Sequence, residues 1–338
     1  APDGEMFYTT ATCGEHLLHI VMSEKALARG SVGGIRASAV IPDHQKVFPA
    51  VHHTRPAYVQ IDWVGMFTAA AGSCIYNGGA WPDRFNGTHF LSEPTVSLVH
   101  NDWPRPEGVT YVAGKEPGRE ETEFIAGTDL WFRPIHTRVG PDGALYVVDF
   151  YNQAAIHNDT RGPAHGAHNA ATRPDRDHHF GRIWRVQHKE ARKLPPYKLD
   201  SKKPADLVKA LEHPNGWVRG TAQRLLGEGA GVKAIPALTR IVKSGSTPYA
   251  RINALWTLND LGRLNGSLLL SALDAKDPVL RKNALRLVAE GKNGGDTIRR
   301  DAVLAGLSDS NARVLLNALI ALASFEPSPE IARAVVPL

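Results

Sequence analysis

Residues 140–186 constrain the fold of this 338-residue chain more than any other stretch. Pro141-Asp142-Gly143 is a turn signal, because Pro presets the first corner, Asp caps the backbone and Gly accepts positive φ. A period-2 strand at 135–139 enters the turn, and a buried strand at 144–150 leaves it. After a polar loop, 181–186 closes the unit as a further strand. Strand, turn, strand, loop and strand is the pattern of one β-propeller blade.

The pattern of turn and strand occurs earlier in the chain as well. PDGEMFYTT at 2–10 matches PDGALYVVD at 141–149, and NGTHFLSE at 86–93 is a third version. Propeller blades repeat at about 40–50 residues, so these spacings predict about four blades, with an insertion at 23–56. The apolar runs between the turns are further strand candidates: 16–22, 66–76, 95–100, 108–113 and 123–125.

The hydrophobic period changes to 3.6 after residue 204, which predicts helices. Arginines recur near the start of every second predicted helix: Arg219, Arg251, Arg281 and Arg313. Small residues and turn prolines accompany them: Ala222, Ala254, Ala284, Pro214, Pro248 and Pro278. This is the pattern of a HEAT-like α-solenoid with four repeats and the start of a fifth. We therefore predict a multidomain β + α chain: a partial β-propeller at 1–186, a linker at 187–204 and the solenoid at 205–338.

Charge and hydropathy narrow the classes of partner. The net charge is +5 and the pI about 9.2, but the basic residues of the second half are scattered along predicted helices. A solvated surface explains that distribution better than a nucleic-acid site, since no aromatic residues are interleaved with the basic ones. No apolar run approaches the ~18–20 residues of a membrane span. Two cysteines, Cys13 and Cys74, make no disulfide framework.

His16 is the first candidate for chemistry. Histidine is the natural proton acceptor near neutral pH, and His19 follows three residues later. If this segment is a strand, the two side chains point to opposite faces, so at most one of them faces a central pocket. The alternative is a histidine hydrogen-bonded inside a blade.

The loop after the strand at 144–150 holds a denser polar group. Asp149, Asn152 and Asp159 offer the oxygen ligands that Ca²⁺ prefers, and His157 is a candidate base. Alternatively, Asp149 and Asn152 only cap the backbone of the loop. Further along, Asp175 and Asp177 precede two histidines and are candidate metal ligands, but neighbouring arginines, including Arg182, make internal salt bridges an equal alternative.

Several long motifs carry a family resemblance: CGEHLLHIVM, YVQIDWVGMFTAAAGSCIYNGGAWP, EETEFIAGTDLWFRP, GPDGALYVVDFYNQAAIHNDTRGP and RPDRDHHFGRIWRVQHKEA. With them the chain resembles the large bacterial proteins described as membrane-bound dehydrogenases, or PVC-type haem-binding CxxCH proteins. Their propeller is similar to that of the glucose/sorbosone dehydrogenases, which are soluble quinoproteins. HEAT-like repeats and a c-type cytochrome domain follow it.

The resemblance implies a quinoprotein-like sugar or alcohol dehydrogenase in the bacterial periplasm or at the cell surface. Pyrroloquinoline quinone and Ca²⁺ would be the cofactors, and the HEAT-like repeats would hold a c-type cytochrome domain or partner protein. The residues assigned to these roles fall into three groups: catalytic His157, His16 and Asp149; quinone-binding Asn152, Arg161 and Arg182; metal-binding Asp159, Asp175 and Asp177.

One departure from the family pattern matters. Covalent haem attachment needs C-x-x-C-H, whereas Cys13 to His16 reads CGEH, with one thiol. We therefore expect no covalent haem in this chain, which looks like an internal fragment without the cytochrome. The alternative function is a non-catalytic propeller and solenoid that bind a glycan or a protein, since fold does not fix function.

Overall fold

A computed structural model describes residues 1–10, 16–28, 37–41, 45–51, 65–152, 179–290 and 297–337. Antiparallel sheets occupy the first part of the chain, and helices follow from residue 204 onward. The predicted order of a β part and an α part is therefore confirmed. None of the helices in the described residues is both long and apolar enough to cross a bilayer.

The described residues of the β part contain twelve short strands, one short α-helix, α1 (Glu24–Ala28), and a 3-10 turn at Asp83–Phe85. The strands are β1 (Phe7–Tyr8), β2 (Leu18–Ile20), β3 (Ala37–Ala39), β4 (Ala71–Ile75), β5 (His89–Glu93), β6 (Leu98–Asp102), β7 (Arg105–Glu107), β8 (Thr110–Val112), β9 (Ile125–Ala126), β10 (Pro134–Val139), β11 (Leu145–Asp149) and β12 (Arg182–Val186). They form four sheets with the orders β1-β2-β3, β4-β5-β6-β9, β7-β8 and β10-β11-β12, and every pairing is antiparallel.

The turn that joins β10 to β11 forms where the sequence predicts it. The amide of Gly143 donates to the carbonyl of Gly140 over 3.0 Å, and Gly143 has φ +76°. A Cβ on Gly143 would lie 2.4 Å from Cβ of Ala80. Glycine is therefore required there twice, by the left-handed backbone and by the close approach of a neighbouring loop.

The sheet that contains β10 packs against the sheet that contains β4 and β5. Gly72 permits the approach: it lies at an irregularity in β4, and a Cβ there would lie 2.4 Å from the backbone of β10. Thr137 of β10 donates its hydroxyl to the carbonyl of Gly72 over 3.2 Å. Between the sheets lies an aromatic core in which Tyr76 stacks on Trp81 at 4.4 Å between ring centroids.

The α part holds nine further α-helices among its described residues. They are α2 (Pro204–Ala210), α3 (Gly216–Gly227), α4 (Ile235–Ser244), α5 (Pro248–Asp260), α6 (Gly266–Leu273), α7 (Pro278–Ala289), α8 (Thr297–Ala305), α9 (Ala312–Leu322) and α10 (Pro329–Val335). Asn215, Thr247, Asp277 and Asn311 cap α3, α5, α7 and α9 through their side chains. Pro248 and Pro278 are the first residues of their helices, where proline loses no hydrogen bond.

Three of the four repeating arginines have the same local function. Arg219 and Arg281 each donate to two carbonyls of the turn before their own helix, and Arg251 donates to the carbonyl of Val242 in α4. These bonds satisfy carbonyls that the end of a helix leaves without a partner. The spacing in the sequence thus marks a recurring turn contact, while the repeat class stays a prediction.

Within the described residues, two regions of contact join the β part to the α part. At the first, the side-chain amide of Asn215 donates to the carbonyl of Gly140 over 2.9 Å. At the second, the turn before β1 lies on α7 and α9. There the buried carboxylate of Glu5 contacts Lys282, and Arg286 donates to the carbonyl of Gly4 over 2.8 Å.

Candidate functional site

The most polar buried region lies where β5 and β6 pair. His100 and Asp102 are two residues apart on β6 and therefore project from the same face. His89 on β5 is the direct cross-strand partner of Asp102. All three are at most 1% exposed. The register alone thus places two imidazoles beside one carboxylate in the core.

His16, just before β2, brings a third imidazole to the same carboxylate. Its Nε2 lies 3.2 Å from Oδ2 of Asp102, while Nε2 of His100 lies 3.1 Å from Oδ1. Phe67 packs against both rings, at 4.0 Å from His16 and 5.0 Å from His100 between centroids. The aromatic ring therefore fixes the orientation of both imidazoles.

A second carboxylate holds His100 from its other side. Oε2 of Glu123 lies 2.7 Å from Nδ1 of His100, and Oε1 accepts the amide of Phe48 over 3.0 Å. Nζ of Lys115 lies 2.9 Å from the same Oε1. We refer to His16, His89, His100, Asp102 and Glu123 as the Asp102 cluster.

Burial and charge act in opposite directions on the pKa values of the cluster. Burial lowers the pKa of His16 to about 4, against the opposing attraction of Asp102. Burial would also lower the pKa of His100, but Asp102 and Glu123 on its two sides raise it to about 9. Although burial opposes it, the charge of His100 holds the pKa of Asp102 well below its usual range. At neutral pH the cluster therefore contains an ionised Asp102, a protonated His100 and a neutral His16.

Several polar atoms of the cluster lack a hydrogen-bond partner among the described residues. These are Nδ1 of His16 and both ring nitrogens of His89. Nδ1 of His89 lies 3.5 Å from Oδ2 of Asp102, at the outer limit of a hydrogen bond. An unsatisfied buried polar atom costs about 1–3 kcal/mol, so the unpartnered nitrogens of His89 oppose the stability of this core.

His19, the other histidine of the same segment, belongs to a different group. It contacts Glu5 over 3.0 Å and the hydroxyl of Thr110 over 3.2 Å. Of the two histidines, only His16 enters the Asp102 cluster. Its predicted role as a catalytic base stays a prediction.

Asp149, a second predicted catalytic residue, lies in a separate network. Oδ1 accepts the amides of Arg133 and Tyr151 over 2.8 and 2.9 Å. Oδ2 accepts the side chains of Arg182 and Trp184, each over 3.0 Å. Four donors fill the acceptor sites of one carboxylate. This geometry corresponds to the loop-capping alternative.

Asn152 and Arg182, predicted to bind a quinone, are also engaged within the protein. The carbonyl of Asn152 accepts Nε of the buried Arg133 over 3.2 Å, and Arg133 also donates to Pro94 and Thr95 in the turn between β5 and β6. The guanidinium of Arg182 lies 3.5 Å over the ring of Tyr151. Tyr151 has φ +45°, a strained value for a non-glycine residue.

The other predicted site residues lie outside the described residues: His157, Asp159, Arg161, Asp175 and Asp177. The resemblance implies pyrroloquinoline quinone and Ca²⁺, and the described donors that could hold them are those of the Asp102 cluster, Asp149, Asn152 and Arg182. Ca²⁺ takes six to eight oxygen ligands, whereas the Asp102 cluster offers mainly imidazole nitrogens, and Asp149 is saturated. Neither the Asp102 cluster nor Asp149 thus offers a set of free oxygen donors for Ca²⁺. The predicted binding of pyrroloquinoline quinone by Asn152 and Arg182 stays a prediction.

Five residues of this region were not predicted from the sequence: His89, His100, Asp102, Glu123 and Lys115. One signal was present: His100 and Asp102 have the period-2 spacing of one strand face. The convergence of His16 and Glu123 on that face, from 84 residues upstream and 23 downstream of His100 respectively, depends on tertiary packing and leaves no local pattern.

Comparison with known proteins places the chain in a family without defining an activity. No curated protein matches the sequence. The family model described as "Domain of unknown function (DUF7133)" matches residues 1–190, which include all of the described sheets and the Asp102 cluster. The chain belongs to the DUF7133 family.

Proposed function

We propose that this chain is an oxidoreductase module, and that the Asp102 cluster is its chemical centre. The β part would be the C-terminal part of a β-propeller of about four blades, and the α part a HEAT-like solenoid. Three sheets support this architecture because their strands pair in chain order, as the strands of propeller blades do. The close approach of β10 to β4 and β5 supports it as well.

The single observation that carries the proposal is the Asp102 cluster itself. The three imidazoles and the carboxylate of Asp102 are at most 1% exposed, and the carboxylate of Glu123 contacts one of the imidazoles. Three of the imidazole nitrogens lack partners among the described residues. Well-packed apolar residues usually stabilise a core as well as buried ionic groups do, or better. We infer that these groups are kept for chemistry rather than for stability, as buried titratable clusters at functional sites are.

The substrate class follows from the resemblance to dehydrogenases of sugars and alcohols. Oxidation of a CH–OH group to a carbonyl releases two electrons and two protons. The electrons would pass one at a time to a c-type cytochrome domain or partner protein held by the α part, and the two protons would be released to solvent. Within this chain, Asp102 would orient the imidazoles of His16 and His100, and Glu123 would fix the ring of His100 through its Nδ1.

Contacts between the β part and the α part support a scaffold role for the helices. Glu5 contacts Lys282 on α7, and Arg313 on α9 contacts the hydroxyl of Tyr111. Because these ion pairs and hydrogen bonds are partly or wholly buried, they fix the turn before β1 and strand β8 to the helices. A partner bound to the helices would thereby be held at a defined position relative to the sheets.

The test is dye-linked oxidation of a panel of sugars and alcohols by the full chain, with and without added pyrroloquinoline quinone and Ca²⁺. We expect turnover in the wild type and a loss of at least about 100-fold in Asp102→Asn, the range that positioned proton-transfer groups supply. Asp301→Asn, which changes an exposed carboxylate on α8, is the matched control. Failure of the wild type to oxidise any member of the panel would refute the proposal.

A second function, binding of a glycan without chemistry, is favoured by an exposed aromatic group near β12. Phe180 is 58% and Trp184 44% exposed, and Arg182 stacks on Tyr151 beside them. Exposed aromatic faces beside polar groups are typical of recognition surfaces. Titration of Trp fluorescence with soluble glycans tests this alternative, and no saturable change in the wild type would exclude it for the glycans used.

A further inference from the structure

We propose that the Asp102 cluster binds a divalent first-row transition-metal ion through His16, His100 and Asp102, with His89 as a fourth ligand. The inference deepens the proposed function, because it names the ion of the same centre. It also replaces the Ca²⁺ that the family resemblance implies. Imidazole nitrogens are preferred by zinc, copper, iron and nickel rather than by calcium.

The separation of the donor atoms fits such an ion. Metal bonds of about 2.0–2.1 Å in a tetrahedral site place the donors about 3.3 Å apart. Oδ2 of Asp102 lies 3.2 Å from Nε2 of His16 and 3.5 Å from Nδ1 of His89, and Oδ1 lies 3.1 Å from Nε2 of His100. One ligand atom from each of His16, His100 and Asp102 can be chosen so that all lie within 4.8 Å of one another. Small side-chain adjustments would bring these donors around one ion.

Hydrogen bonds of the kind that orient metal-binding histidines are also present. A ligating histidine usually donates its other ring nitrogen to a carboxylate or carbonyl, which fixes the tautomer. His100 has this arrangement through Nδ1, 2.7 Å from Glu123, whose other oxygen is held by Lys115 and by the amide of Phe48. Nε2 of His100 is thereby directed toward Asp102.

His89 supplies an independent observation that points to a ligand. It is 1% exposed, it faces Asp102 across the β5–β6 pair, and neither of its ring nitrogens has a hydrogen-bond partner among the described residues. A bound metal ion would give one of these nitrogens a partner.

The experiment is titration of the full chain, freed of metal by a chelator, with Co²⁺. Binding is read from the visible absorption spectrum and from calorimetry, and Zn²⁺ is then added as competitor. We expect one site that Zn²⁺ displaces. Loss of a residue that only supports a ligand weakens metal binding about 10–100-fold. His16→Gln and His100→Gln remove a ligand itself, so each should weaken Co²⁺ binding by more than that. His136→Gln, a half-buried histidine of β10 outside the cluster, should bind like the wild type.

His89→Leu gives the same test if a ligand variant fails to fold, because it removes a donor and leaves no new polar atom unpaired. Its Co²⁺ affinity should fall at least about tenfold. Equal Co²⁺ affinity in the wild type and in every folded cluster variant would overturn the metal site. Oxidation of substrate that needs no metal would leave the proposed function and overturn the metal site. Metal binding without oxidation of any substrate would leave the metal site and overturn the proposed function.

Discussion

The contact of Glu5 with the α part gives a quantitative prediction. Glu5 is mostly buried between His19 and Lys282. Burial alone would raise the pKa of its carboxyl, but the hydrogen bond to His19 and the charge of Lys282 outweigh burial and lower the pKa to about 2. We consider the change Glu5→Gln, which keeps the shape of the side chain and removes its charge.

The magnitude follows from the difference between the folded and the ordinary pKa. A fall from 4.5 to about 2 corresponds to about 3 kcal/mol of stability, since one pKa unit corresponds to about 1.4 kcal/mol. The pKa is depressed on folding, so this stability is fully present above pH 4.5. It is lost as the pH falls toward 2, and about 1 kcal/mol of it remains at pH 3.

The assay is urea unfolding of the wild type and Glu5→Gln at several pH values between 3 and 7. We expect the variant to lose about 3 kcal/mol at pH 7 and about 1 kcal/mol at pH 3. Glu121→Gln, an exposed carboxylate between β8 and β9, should leave the unfolding free energy unchanged. A difference between the wild type and Glu5→Gln that is the same at pH 3 and pH 7 would refute the reasoning.

Three further predictions concern single side chains. Arg133→Met removes a buried guanidinium that donates to three carbonyls and a hydroxyl. Urea unfolding should show a loss of about 3–5 kcal/mol, and a loss below about 1 kcal/mol would contradict the network. Gly143→Ala should cost about 1–3 kcal/mol in the same assay, because the residue has φ +76° and its Cβ would contact Ala80; an unchanged midpoint would contradict this. Glu123→Gln should weaken Co²⁺ binding about 10–100-fold through the ring of His100, and wild-type affinity would show that Glu123 does not support the site.

Local signals in the sequence were sufficient for much of the fold. Alternation at 135–139 and the turn at 140–143 predicted β10 and its connection to β11, because both depend on neighbouring residues. The 3.6-residue period predicted the helices for the same reason. β3 (Ala37–Ala39) and β7 (Arg105–Glu107) were not predicted. The first consists of small residues without alternation, and the second is polar, exposed and contains a proline.

The candidate site was harder to predict from the sequence. Among the described members of the Asp102 cluster, His16 was selected because histidine is a common base, whereas His89 and Glu123 were not. Their roles depend on the register of β5 against β6 and on the approach of distant segments. Asp149 was selected because it ends a strand, and its oxygens prove to be filled by neighbouring donors.

The central claim is that the Asp102 cluster is kept for chemistry rather than for stability. The most direct test is the unfolding free energy of metal-free His89→Leu compared with the metal-free wild type. Because both ring nitrogens of His89 lack partners among the described residues, we predict that the variant is at least as stable as the wild type. A loss of about 2 kcal/mol or more, as expected for a group that stabilises the core, would contradict the account.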